Sequence, residues 1–191
     1  MEIDALNSSF INISAMTPHS PVHVAILANL AVIRQGIDLL AMLGAERFTA
    51  RIPVCYNASV GGHLRHIIEH YQSFIRGLGR GEIDYEDRPR DPLIEGSPGY
   101  AAGIMEEITD RLAALGATLP NRDLKLCAET TEGVKTGTSV LRELEFLLSH
   151  TIHHYALVAV MARLQGCEPA ATFGVAPSTI KFQQSQAVCA R

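Results

Sequence analysis

Four stretches of the chain repeat apolar residues at the three-to-four spacing of an amphipathic helix. The first runs from Pro21 to Leu43, with Val24, Leu27, Leu30, Ile33, Ile37, Leu40 and Met42 marking the stripe expected to be buried. Pro21 suits a first helical turn, where its missing N–H would lack an intrahelical partner anyway, and Gly44 fits a C-terminal cap. The second helix is predicted to start after Ser59, a good N-cap, and to run to Leu78, where GLGRG breaks it. The third spans Pro98 to Leu115 with Gly116 as its stop signal. The fourth starts near Ser139 and ends at Gly166, with Pro169 just beyond.

The segments between these helices are informative. Residues 79–97 are polar and rich in proline and glycine, which reads as a long loop. A connection of that length lets the second and third helices run parallel, whereas the shorter first loop suits antiparallel neighbours. Residues 123–138, DLKLCAETTEGVKTGT, alternate around a Glu-Gly turn and predict a small β-hairpin before the last helix. Residues 1–18 read as an N-terminal arm. The tail over 167–191, with FGVAPSTIKF inside it, is expected to pack back on the helices. The whole length of 191 residues suits one domain.

Composition narrows the function classes. Apolar residues make up 47% and charged residues 19%, as in a folded globular protein. A net charge of −4 with scattered lysines and arginines gives no basic footprint, so nucleic acid is not an expected partner. No secretory signal is apparent in MEIDALNSSFINIS. The apolar run from Val22 to Leu43 carries His23, Asn29, Arg34, Gln35 and Asp38 at helical intervals, so it reads as amphipathic rather than membrane-spanning. Cys55, Cys127, Cys167 and Cys189 are far apart and form no CxxC, which points to free thiols and a cytoplasmic protein.

The eight histidines are placed unevenly, at 19 and 23, at 63, 66 and 70, and at 150, 153 and 154. Residues three or four apart share a helix face, so His63, His66 and His70 share one face of the second helix and His150 and His154 one face of the fourth. Neutral imidazoles are good ligands for divalent transition ions, and three of them in a helical bundle leave coordination positions open. A lone histidine on an apolar face is more often a hydrogen-bonded core residue. Two clusters on two helices are harder to explain that way, because each buried ring needs partners. His19 and His23 lie at the far end of the first helix and read as surface or capping residues, and His153 projects away from His154.

A competing pattern is HIIEH, residues 66–70, which matches the HxxEH of inverted zinc peptidases with Glu69 as base. Such short matches arise often by chance, and this one leaves the second histidine cluster unused. Arg65 and Glu69 read as an exposed ion pair, and Tyr71 and Tyr155 as packing residues. Arg142, Glu143 and Glu145 fall in the first turns of the fourth helix, where its dipole favours acids. Cys55 reads as a plain buried cysteine in the loop before the second helix.

Taken in order, SVGGHLRHIIEHY followed by ELEFLLSHTIHHYALVAVMARLQG resembles the DinB/YfiT-like family of metal-dependent enzymes. The resemblance covers roughly residues 59–166. It implies an all-α four-helix bundle of up-down-down-up topology, with one ligand early in the second helix and two from an HxxxH on the last. Carried over by position, His66, His150 and His154 would hold one divalent metal ion, with zinc the first expectation and nickel, iron or manganese the others. His63 and His70 stand one turn to either side of His66, so either could replace it, support it or carry protons. His63, Glu69 and His70 are therefore the candidate catalytic residues.

The resemblance further implies a small-molecule substrate, a thiol being one option, and a thiol-dependent transferase or a metal-dependent hydrolase as the activity, since defined activities in the family are often thiol-dependent transferases or isomerases. It also implies a homodimer. The reading from a different class is a non-catalytic module in which the metal stabilises a dimerising or partner-binding bundle.

Overall fold

The computed structural model describes residues 20–189, so the arm 1–18 and His19 lie outside the described residues. The chain is mostly helical with a small sheet. Its helices are α1 (Pro21–Leu43), α2 (Ala45–Thr49), α3 (Val60–Arg80), α4 (Pro92–Gly96), α5 (Pro98–Leu115), α6 (Val140–Leu164) and α7 (Pro177–Cys189). The strands are β1 (Glu82–Ile83), β2 (Asp123–Cys127) and β3 (Lys135–Ser139). Helices α1 and α3 each pack against both α5 and α6, and the core lies between these four.

Local chemistry explains the helix bounds. Ser20, Ser59, Ser97 and Ser139 each accept a hydrogen bond from a first-turn backbone N–H, which satisfies a donor the helix itself cannot. Helix α3 outruns its predicted end by two residues and stops at Gly81, whose φ of 74° closes it with a bond from its N–H to the Gly77 carbonyl. Gly77 does not break the helix. Its missing side chain lets β1 cross, and a Cβ there would meet Ile83 Cγ1 at 2.6 Å.

The buried stripe of α1 differs from the predicted one. Val24, Leu27 and Met42 are exposed, while Val22, Ile26, Asn29, Val32, Leu39 and Leu43 are buried beside the expected Ile33 and Leu40. The helix is apolar on nearly every side, so periodicity alone does not fix which side faces inward. Asn29 settles it. Its amide donates to Leu144 O at 3.0 Å and Ala25 O at 2.8 Å, and its carbonyl oxygen accepts from Tyr71 Oη at 2.7 Å. Among the described residues α1 alone is long and apolar enough to cross a membrane, a test that the core helix of a folded protein also meets.

The predicted hairpin is present as antiparallel β2 and β3, with Lys125 paired to Gly137. The long loop is more structured than expected, since β1 adds to β2 in parallel and α4 precedes α5. The first loop likewise holds α2 and the 3-10 turn Pro53–Cys55, in which Cys55 is half-buried. Cys55, Cys127 and Cys167 are free thiols. In the tail, Cys167 and Phe173 are buried and Phe173 stacks on Tyr155 at 4.6 Å, but most of α7, Phe182 included, is exposed.

Candidate metal centre

Ser59 starts α3 so that His63, His66 and His70 fall on the side facing α6, where His150 and His154 stand on successive turns. The rings meet across the two helices. His66 Nε2 lies 3.1 Å from His150 Nε2, and His154 Nε2 lies 3.1 Å from the same atom. His63 Nδ1 is 2.9 Å from His154 Nδ1. His66, His70 and His150 form a group whose ligating nitrogens lie within 4.8 Å of one another and could hold a metal ion. His153 is exposed and touches only the edge of the His154 ring among the aromatic contacts, as expected. His23 sits in the first turn of α1, its backbone N–H bonded to Ser20 Oγ.

The hydrogen bonds can be given a direction from one fixed donor. Arg88, in the loop between β1 and α4, brings Nη1 to 2.6 Å from His66 Nδ1. A guanidinium only donates, so His66 Nδ1 accepts and the ring's proton sits on Nε2. That proton points at His150 Nε2, which must accept, leaving the His150 proton on Nδ1. His150 Nδ1 is buried without a hydrogen-bond partner. His150 Nε2 has a single lone pair, so the approach of His154 Nε2 at 3.1 Å brings a third nitrogen to the same point without a second full hydrogen bond. His70 is fixed separately, because its Nδ1 donates to the His66 carbonyl at 2.8 Å and leaves Nε2 with a free lone pair.

All five rings are held neutral. Burial is the first cause at each, with neighbouring rings adding to it. His66 is pushed down to about 2, His154 to about 3, and His70 and His150 to about 4. Beside burial, His66 feels His70, His154, His150 and Arg88, and His63 is lowered by burial and by His153. Neutral imidazole is the form that ligates a metal.

The donor set fits such an ion. Imidazole nitrogens about 2.0–2.1 Å from a tetrahedral ion lie roughly 3.4 Å from each other. The two Nε2 pairs at 3.1 Å are close to that spacing, and His150 Nε2 already receives two converging nitrogens. Aromatic walls limit the remaining room, with Tyr85 stacked on His70 at 5.0 Å and Phe146 on His150 at 5.4 Å.

Three supporting residues have no signal in the spacing. Tyr85 donates to Glu143 at 2.8 Å, so Glu143 is a fully buried acceptor, also bonded by Thr138 and Arg142, rather than only a helix-dipole acid. Arg88 comes from an irregular loop. Glu69 is also buried, contrary to the expected exposed pair. It bonds Arg65 at 3.1 Å and accepts from Asp91 N at 2.9 Å, so it ties the loop to α3. Tyr71 and Tyr155 are core residues, as anticipated.

Fold and cluster together define a mostly helical protein with a histidine group able to hold a metal ion. The chain belongs to the DinB family, whose sequence model matches residues 25–184. A comparison with curated proteins gives no match.

Proposed function

We propose that the chain is a metal-dependent enzyme that holds one divalent ion between α3 and α6 through His66, His150 and His154. The observation that carries this reading is the convergence of His66 Nε2 and His154 Nε2 on His150 Nε2, each at 3.1 Å. In this reading the four long helices form an up-down-down-up bundle. The contact of Asn29 with Leu144 and of Arg47 with Gln165 supports a parallel α1 and α6, and the His63–His154 and His66–His150 contacts support an antiparallel α3 and α6. Zinc is the ion we favour for an all-imidazole set, in a cytoplasmic protein acting on a small molecule, a thiol among the options, as a homodimer.

When bound, the ion supplies Lewis-acid polarisation of a substrate or an acidified water. The chain's own residues do the rest. His63, bonded to His154, fixes that ring's orientation. His70 offers Nε2 as a proton acceptor, since its Nδ1 is committed to the His66 carbonyl. Tyr85 and Phe146 cover the rings and limit water. Half-buried His63, His66, His150 and His154 leave the cluster reachable from solvent.

One observation favours the second reading, a non-catalytic module with a structural ion: His70 shares the ligand group with His66 and His150. Four imidazoles would close the coordination sphere. Metal analysis of tag-free protein tests both. The enzyme reading expects about one equivalent of zinc or nickel per chain, a rise in melting temperature on metal addition, and a folded His154→Ala that no longer retains the ion. A His154→Ala that fails to fold, with His70→Ala losing the ion equally, favours the structural module. Absence of metal uptake by the wild type refutes both.

A further inference from the structure

Arg88 is an unusual partner for a histidine cluster. Its side chain is only 9% exposed, its Nη1 is spent on His66 Nδ1, and its Nε is buried with no hydrogen-bond partner. Its remaining contact is loose, with Nη2 3.5 Å from Oε1 of Glu86, a carboxylate that is half-exposed and shared with Arg90 at 3.7 Å. A buried guanidinium N–H without an acceptor is destabilising, so an acceptor brought to it would be bound favourably.

Metal binding sharpens the imbalance. With an ion on His66 Nε2, that ring keeps its proton on Nδ1, which then cannot accept from Arg88. The guanidinium would then have Nε and Nη1 both lacking an acceptor. The other guanidiniums nearby are engaged. Arg142 is held by buried Glu143, and Arg76 by Ser73 Oγ and the Asp87 carbonyl. Among the described residues Arg88 is the cation that touches the rings.

We propose that Arg88 is the anchor for an anionic substrate, binding a carboxylate group of the small molecule on which the centre acts. A planar carboxylate matches two parallel guanidinium N–H groups, here Nε, which is unpartnered, and Nη2, whose contact with Glu86 is long at 3.5 Å. The group that now touches Arg88 is itself a carboxylate, that of Glu86, and its exposure lets it swing out when a ligand arrives. Once Glu86 has swung out, the single guanidinium balances one negative charge, which favours a carboxylate over a phosphate dianion. Glu69 acts as a positioning residue for this subsite, because it holds Asp91 N and so fixes the end of the loop that carries Arg88.

This assignment rests on the metal-centre reading for where the reaction occurs, but the subsite can be tested without it. Nitrogen-15 NMR reads the Arg88 Nε–H directly while acetate, succinate or inorganic phosphate is added at matched ionic strength, with and without zinc. We expect a saturable downfield shift with the carboxylates. Calorimetry should show carboxylate binding weakened at least tenfold in Arg88→Lys, which keeps the charge but not the fork, with zinc stoichiometry and circular dichroism unchanged. Arg88→Gln serves as the second variant. Equal carboxylate binding in wild type and Arg88→Lys, tighter binding of phosphate than of succinate, or no saturable binding to the zinc-free and zinc-loaded protein overturns the proposal. Arg88-dependent carboxylate binding in a protein that takes up no zinc upholds the subsite while the metal reading fails.

Discussion

Replacing Gly36 by alanine should loosen the seam between α1 and α6 that sets the height of the histidine pair. Gly36 lies inside α1, so alanine would by itself favour the helix by about 1 kcal/mol. The new methyl, however, would lie 2.1 Å from Tyr155 Oη, 2.6 Å from Met105 Cε and 3.0 Å from Tyr155 Cζ. Met105 has a flexible end and can move. Tyr155 cannot, because it is fully buried, stacked on Phe173, and next in sequence to His154. Overpacking of this kind costs about 1–3 kcal/mol, and an overlap this deep against a fixed ring belongs in the upper half of that range. The net loss is then roughly 1–2 kcal/mol, or about 2–8 °C in melting temperature for a chain of this size. Thermal and urea unfolding followed by circular dichroism measure it. Tyr155→Phe, which removes the oxygen nearest the methyl, should recover most of the loss in the double variant. A Gly36→Ala protein as stable as wild type, or a double variant no better than the single one, would refute the reasoning.

The neutral histidines make two further outcomes checkable together with the loop. Their folded values of about 2 to about 4 lie below the roughly 6.5 of the unfolded chain, so the unfolded state binds more protons and stability rises with pH. The metal-free protein should therefore hold its stability down to about pH 6.5 and lose it progressively below; urea midpoints that stay flat between about pH 6.5 and 4.5, above most carboxylate titration, contradict this. Glu69→Ala removes the acceptor for Asp91 N and one partner of Arg65, and should cost about 1–3 kcal/mol. Limited proteolysis should then cut within residues 84–91, and an uncut loop in that variant would show that Glu69 does not hold it.

Much of this architecture was legible in the chain. Pro21 with Gly44, Ser59, Pro98 with Gly116, and Ser139 mark helix ends through local hydrogen bonding that needs no tertiary context. The histidines were legible because helical spacing alone puts His150 and His154 on one face. The inward side of α1 was not, since its orientation depends on Asn29 finding Leu144 and Tyr71 across the core. Strand β1 was hidden for a similar reason, as two residues joining a sheet in parallel carry no turn signal. Arg88 and Tyr85 escaped notice, and Glu143 was read only as a helix-dipole acid, because their roles depend on a loop whose path is set by distant anchors such as Glu69. Periodicity is silent about loops.

The cluster between α3 and α6 also has a place in time. His66 and His150 are 84 residues apart, so a ribosome adding about 5–20 residues per second separates their synthesis by about 4–17 s. Throughout that interval the nascent chain displays His63, His66 and His70 without the rings that face them in the finished protein. Helices α4 and α5 can cover part of α3 earlier, but its imidazoles meet their facing rings only once α6 emerges. If an ion is held as proposed, its ligand set, split between α3 and α6, is complete only once α6 has emerged.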